Sequence, residues 1–206
     1  MESRTRLSRL ALLATVCILW PDASSPGQGP SVLQTSSDQI EWSKDRKLRR
    51  ADFKGVAVMQ AGVAARSSIG IKASWTCDGD RLDAKILAVF DTSQSTWPGA
   101  MRSGFDASSP RPTLVTNRDI LQHEQTHFDI AEVIARKIRA HFAALDQVCT
   151  RRGGTVPLAA IVEDYQQELD EQQARYDRQT LFGADGRAQS MWTSQTLKAL
   201  ADTDKR

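Results

Sequence analysis

Residues 117–147 read NRDILQHEQTHFDIAEVIARKIRAHFAALDQ, with no glycine or proline to interrupt them. Their spacing predicts a long helix with Asn117 as its N-cap. Measured around such a helix from His123, the side chains of Ile120, Ile130, Ile134, Ile138 and Leu145 all fall within about 60°. That apolar stripe marks the face turned to the core, and His123 and His127 lie on it. Two residues four apart are offset by about 40°, so both imidazoles point the same way.

Between and beside them the sequence is His123-Glu124-Gln125-Thr126-His127. Buried imidazoles need partners for their ring nitrogens. A metal ion gripped by both would supply them, and zinc takes imidazole nitrogen readily while keeping one position open in catalytic sites. Glu124 is offset by about 100° from His123 and can take a proton from a water activated by the metal. The alternative is a pair of core histidines bonded to carbonyls or carboxylates and holding nothing. His141 is 14 residues beyond His127, about 21 Å along the helix, and is excluded as a third ligand. Ile130 and Val133 stand where a metzincin would carry glycine and histidine.

A carboxylate must then complete the set. Gly153-Gly154 breaks the chain, and Thr155 with Pro157 starts a second helix running to about Leu181. A short connection sets it antiparallel to the first. Pairing the helix ends puts Asp177 level with the histidines and Glu168 opposite Ile138, more than about 15 Å away along the axis. Height thus favours Asp177, whose alternative is a solvated charge near a helix end. Rotation is less favourable, because the inward stripe is Leu158, Ile161, Tyr165, Leu169 and Tyr176, with Asp177 about 100° from Tyr176. Tyr176 is either a hydroxyl donor to a developing oxyanion or plain core. Gly183 and Gly186 precede a short third helix around Met191 to Leu200.

Upstream, Val63 to Trp75 and Leu82 to Phe90 read as two strands of a hairpin around Cys77-Asp78-Gly79-Asp80. The segment from Trp42 to Asp52-Phe53-Lys54-Gly55 adds a strand or turn, and 91–113 reads as loop. Strands first and helices after give an α+β domain over 41–206. Residues 24–40 are a polar leader. Arg4, Arg6 and Arg9 ahead of the apolar run Leu10 to Trp20 mark residues 1–23 as a secretory signal peptide, so the chain is expected to be exported, periplasmic or secreted, with no lasting membrane insertion. The cysteines outside the signal, Cys77 and Cys149, are expected to pair in an oxidising compartment. With 27 basic and 25 acidic residues, the charge balance argues against nucleic acid as a partner.

These residues resemble a known family. Leu121-Gln122-His123-Glu124-Gln125-Thr126-His127-Phe128-Asp129-Ile130 with Glu132 and Arg136 is similar to the central motif of the domain-of-unknown-function 922 family. Trp42 with Asp52-Phe53-Lys54-Gly55, then Tyr176-Asp177 with Thr180 and Gly183, then Gln189 and Trp192 resemble its flanking motifs, so the likeness spans about residues 40–195. Members are bacterial, mostly exported, and read as zinc-dependent proteases from the same motif. The resemblance implies a zincin-like metallopeptidase acting on peptides or proteins with one zinc ion. With the helix pairing above, His123, His127 and Asp177 would be the ligands, Glu124 the proton acceptor and Tyr176 the candidate oxyanion donor. One departure is Phe182, which stands where the family pattern leads one to expect histidine. A non-catalytic exported module with a structural or degraded metal site is the competing reading.

Overall fold

The structure, a computed structural model, describes residues 37–56, 65–97, 116–145, 149 and 158–204. Three strands form one antiparallel sheet in the order β1-β3-β2: β1 (Gln39–Glu41), β2 (Arg66–Asp78) and β3 (Arg81–Thr96). Three α-helices follow, α1 (Asn117–Ala143), α2 (Leu158–Thr180) and α3 (Gly186–Thr203), so the chain is α+β as its element order predicts. β1 begins at Gln39, two residues before the boundary read from composition. The signal-peptide region, most of the polar leader, Thr155 and Pro157 lie outside the described residues.

The β2–β3 hairpin is longer than its sequence pattern suggests. Val63 and Ala64 fall outside the described residues, but β2 runs on to Asp78, and β3 takes in Asp91–Thr96, expected as loop. Strict alternation along β3 puts Ala84, Ile86, Ala88 and Phe90 on the face that meets α1, where they join Phe128, Ala131, Ile134, Ala135 and Ile138 in one core. Full burial of rings such as Phe90 and Phe128 stabilises by about 1.5–3 kcal/mol each. The Asp52–Gly55 motif stitches onto the far end of β3. Phe53 packs edge-on against Phe90 and Trp97, and the amides of Lys54 and Gly55 donate to the carbonyls of Thr92 and Ser95. A Cβ at Gly55 would lie 2.8 Å from the carbonyl oxygens of Ser93 and Ser95, so only glycine allows this approach.

Thr116, not Asn117, caps α1. Its hydroxyl accepts from the Asp119 amide while the Asp119 carboxylate accepts from the Thr116 amide, a reciprocal capping box. The helix ends at Ala143, four residues short of Gln147. It is the central element. Every residue from His123 to Glu132 is buried, a wider face than one stripe, because the sheet, the Trp42–Leu48 segment, α2 and α3 all close on this stretch. Its polar side chains are accordingly paired. Gln125 accepts from the Leu48 amide and donates to Asp129, which also receives the Trp42 indole N–H.

Helix α2 runs antiparallel to α1, with Tyr165 at His141, Glu168 at Lys137, Gln173 at His127 and Asp177 at His123. Helix α3 is longer than the Met191–Leu200 expected. Asp185 caps it by accepting from the Arg187 and Ala188 amides, which makes Gly186 its first residue and not a separator. Arg136 of α1 holds its other end, donating to the Leu200 carbonyl, Thr203 and Asp204. Cys77 and Cys149 form a disulfide with Cα atoms 5.5 Å apart, tying the hairpin tip to the chain beyond α1. His141 is exposed and meets the Tyr165 hydroxyl of α2.

Candidate metal centre

The helical spacing of His123 and His127 brings their rings to 4.6 Å between centroids, nearly perpendicular. Their Nε2 atoms are 3.1 Å apart. Asp177 arrives from α2 with Oδ1 3.0 Å from Nε2 of His123 and 2.9 Å from Nε2 of His127. Rotation, unfavourable on the stripe read from sequence, is resolved by the helix axis: Tyr176 faces fully into the core while Asp177 is half-buried at its edge.

Each Nδ1 is spoken for. That of His123 faces Oε1 of Gln189 at 3.0 Å, and that of His127 faces Oε1 of Gln173. Both glutamine orientations are fixed by what their amide nitrogens do. Gln189 Nε2 donates to Thr126 and Thr193, and Gln173 Nε2 donates to the His127 carbonyl. With Nδ1 as the donor, each neutral ring offers its Nε2 lone pair inward. Two lone pairs and a carboxylate oxygen thus converge with no donor among them. Such a set calls for a cation at its centre, whether a proton or a metal. Metal bonds of about 2.0–2.1 Å put tetrahedral corners about 3.3–3.4 Å apart, close to the spacing seen here. The N,N,O donor set fits zinc.

The charges respond to this crowding. Burial works against ionised Asp177, but the two imidazoles outweigh it and hold the carboxyl far below the usual carboxylate range. Burial likewise disfavours protonated His127, yet hydrogen bonding to Asp177 and the charges of Glu124 and Asp177 raise its pKa above 6.5.

Glu124 is buried and lines the same cleft as the three donor residues, a cavity of ≈ 570 Å³ between the start of β2, α1 and α2. Its Oε2 accepts from the Ser67 hydroxyl at 2.5 Å. Tyr176 sits behind the imidazoles, not in the cleft. Its ring stacks on His123 at 4.6 Å, and its hydroxyl donates to Gln189 Oε1 at 2.7 Å and to the His123 carbonyl at 3.3 Å. Burial pushes its pKa up. The core alternative is the one this geometry fits; the hydroxyl is committed to the frame that holds His123 and does not face a substrate.

Past α2 the chain turns through Leu181 and Phe182, both at positive φ, into Gly183 at φ +84°. The Phe182 amide donates to the Asp177 carbonyl at 2.8 Å, and its side chain is 69% exposed at the cleft rim. Phe182 thus supplies no ligand atom where histidine was expected, and Asp177 is the third donor present.

Gln173, Gln189 and Ser67 are site residues that sequence reasoning gave no role. Gln173 stands one turn before Asp177, which could have flagged it; Gln189 was visible only as part of a resembling motif; nothing marked Ser67.

The sequence model of a family described as "Bacterial protein of unknown function (DUF922)" matches residues 57–183, more than half of the chain. That span takes in the three donors, Glu124, Ser67 and Gly183, while Trp42, Asp52–Gly55, Gln189 and Trp192 lie outside it. No curated protein and no solved structure matches the chain.

Proposed function

The chain belongs to the DUF922 family, and from that premise we propose that it is an exported, zincin-like, zinc-dependent metallopeptidase. The observation that carries this reading is the convergence of His123 Nε2, His127 Nε2 and Asp177 Oδ1 within 3.1 Å of one another, beside a buried carboxylate. A zinc ion held there would supply Lewis acidity, polarising an amide carbonyl and lowering the pKa of water.

The chain's own residues do the rest. Gln189 and Gln173 hold the two imidazoles in the tautomer that faces inward. Glu124 takes a proton from the attacking water and delivers it to the leaving nitrogen. The water oxygen stays on the carbonyl carbon as the C–N bond breaks, leaving a carboxylate and an amine. β2 is an edge strand of the sheet, and Arg66, Ser67 and Ile69 at its start line the cleft. An extended peptide added to that edge would run past Glu124. The disulfide supports an oxidising destination such as the periplasm or the exterior, and among the described residues no helix is long and apolar enough to cross a membrane.

The test is elemental analysis joined to hydrolysis of quenched fluorogenic peptides. Glu124→Gln is expected to keep its zinc and lose activity, and Asp177→Ala to lose zinc. Undiminished hydrolysis by Glu124→Gln would overturn the peptidase reading.

A further inference from the structure

We infer that Ser67 is a positioning residue that clamps one oxygen of Glu124 so that the other is presented to the cleft; this rests on the reading of Glu124 as the proton acceptor. Glu124 is 4% exposed, and a carboxylate in such surroundings needs donors on both oxygens or contact with water. Ser67 Oγ donates to Oε2 at 2.5 Å, and no other hydrogen bond to this carboxylate is formed among the described residues. Glu124 also lines the cleft with the three donor residues. Ser67 thus fixes one oxygen, and the cleft is where the other would accept a proton.

The backbone around Ser67 is built for this. Pairing between β2 and β3 is regular from Asp78↔Arg81 to Ser68↔Asp91, then shifts, so that Arg66 pairs with Thr96. Two steps on β2 thus face five on β3, and Ser67 lies at the break. Parity with Ile69 and Ile71, both packed on the core, turns Ser67 towards α1. Side-chain hydrogen bonds brace the irregularity. Ser95 Oγ accepts from the Ser68 amide at 2.9 Å and donates to the Asp91 carbonyl at 2.5 Å. Asp91 Oδ1 gathers the Ser93 and Gln94 amides and the Ser93 hydroxyl. Bulges that re-aim a side chain are frequent beside active sites. Here the extra residues sit on β3, so β2 continues straight to deliver a short hydroxyl donor without filling the cleft.

A mere tie between β2 and α1 would make the same hydrogen bond, so the experiment must separate holding the fold from orienting Glu124. Ser67→Ala and Ser67→Thr are made alone and in the Glu124→Gln background, and zinc content is measured for each. Ser67→Ala is expected to keep its zinc and lower kcat on a fluorogenic peptide by about 10- to 100-fold, the scale of a small misplacement of a reacting group, with KM little changed. Ser67→Thr, which keeps the hydroxyl, is expected to retain most of the activity. In the Glu124→Gln background Ser67→Ala should cost nothing further. An unchanged kcat in Ser67→Ala, or an equal further loss in the Glu124→Gln background, overturns the inference. A second arm needs no turnover. In the infrared spectrum of the metal-free protein, the carboxylate stretch that vanishes in Glu124→Gln is expected to shift in Ser67→Ala, and an unmoved band overturns the clamp. A wild type that cleaves no peptide would sink the peptidase reading, while the infrared arm would still decide whether Ser67 holds Glu124.

Discussion

Gly183 rests against the imidazole of His123: a Cβ built on it would lie 3.2 Å from Cγ and 3.3 Å from Nδ1 of that ring. The glycine also holds φ +84°, where an L side chain is strained. Gly183→Ala is therefore expected to destabilise the fold by about 1–3 kcal/mol, part backbone strain and part displacement of His123. His123 is backed by Tyr176 and cannot give way freely, so the variant should also bind zinc more weakly. Thermal melting and chelator competition read the two effects.

Gln189→Leu removes the acceptor shared by His123 Nδ1 and the Tyr176 hydroxyl. The buried Nδ1 donor of His123 would be left unpaired, which costs about 1–3 kcal/mol where the protein does not relax, while the Tyr176 hydroxyl keeps the His123 carbonyl as its acceptor. The freed imidazole could also turn its lone pair away. Metal affinity is expected to fall by about 10- to 100-fold, the usual effect of losing such a partner, with Gln173→Leu acting similarly through His127. Titration against a chromophoric chelator measures both.

Acidity and metal should oppose each other at His127. Its pKa is raised above 6.5 in the metal-free fold; burial opposes the charge, but Asp177 and Glu124 prevail. A raised pKa means that the folded metal-free protein holds a proton the unfolded chain releases. The resulting stability is full below pH 6.5 and is lost as pH rises through the raised value. Zinc needs the unprotonated ring, so its apparent affinity should climb over that same rise in pH. Melting with and without a chelator across this window is expected to show two opposite slopes. Parallel slopes would mean that the metal does not displace this proton.

The Cys77–Cys149 bridge spans 72 residues of sequence. Closing a loop of that size removes about 4 kcal/mol of chain entropy from the unfolded state, and bridges typically deliver about 2–4 kcal/mol. Reducing the protein, or replacing both cysteines by serine, is expected to lower its stability by about that amount in urea denaturation. The metal site should survive, because the bridge anchors the hairpin tip and the chain past Ala143, while Gln173, Asp177 and Gln189 lie on α2 and α3.

Much of this architecture is legible locally. The isoleucine stripe around His123 and His127 announces α1, alternation from Leu82 to Phe90 announces β3, and the pair Cys77 and Cys149 announces the bridge. Boundaries were less legible. Thr116 displaced Asn117 as the cap because Asp119 stands at the matching position of a capping box, and β3 ran on past Phe90 because Lys54 and Gly55 arrived to pair with it.

What the sequence alone determined is therefore set by spacing: which residues share a helical face, which alternate along a strand, and that two imidazoles stand one turn apart with a carboxylate next to the first, in a form suited to a metal. Only the tertiary structure decided that Asp177 swings in to meet both Nε2 atoms, that Tyr176 is turned away behind them, and that Ser67 reaches Glu124 across 57 residues of sequence. The reason is geometric. Periodicity fixes where a side chain points from its own helix or strand, but convergence depends on how far each element rotates and slides against its neighbours. That is set by the packing of the whole core at once.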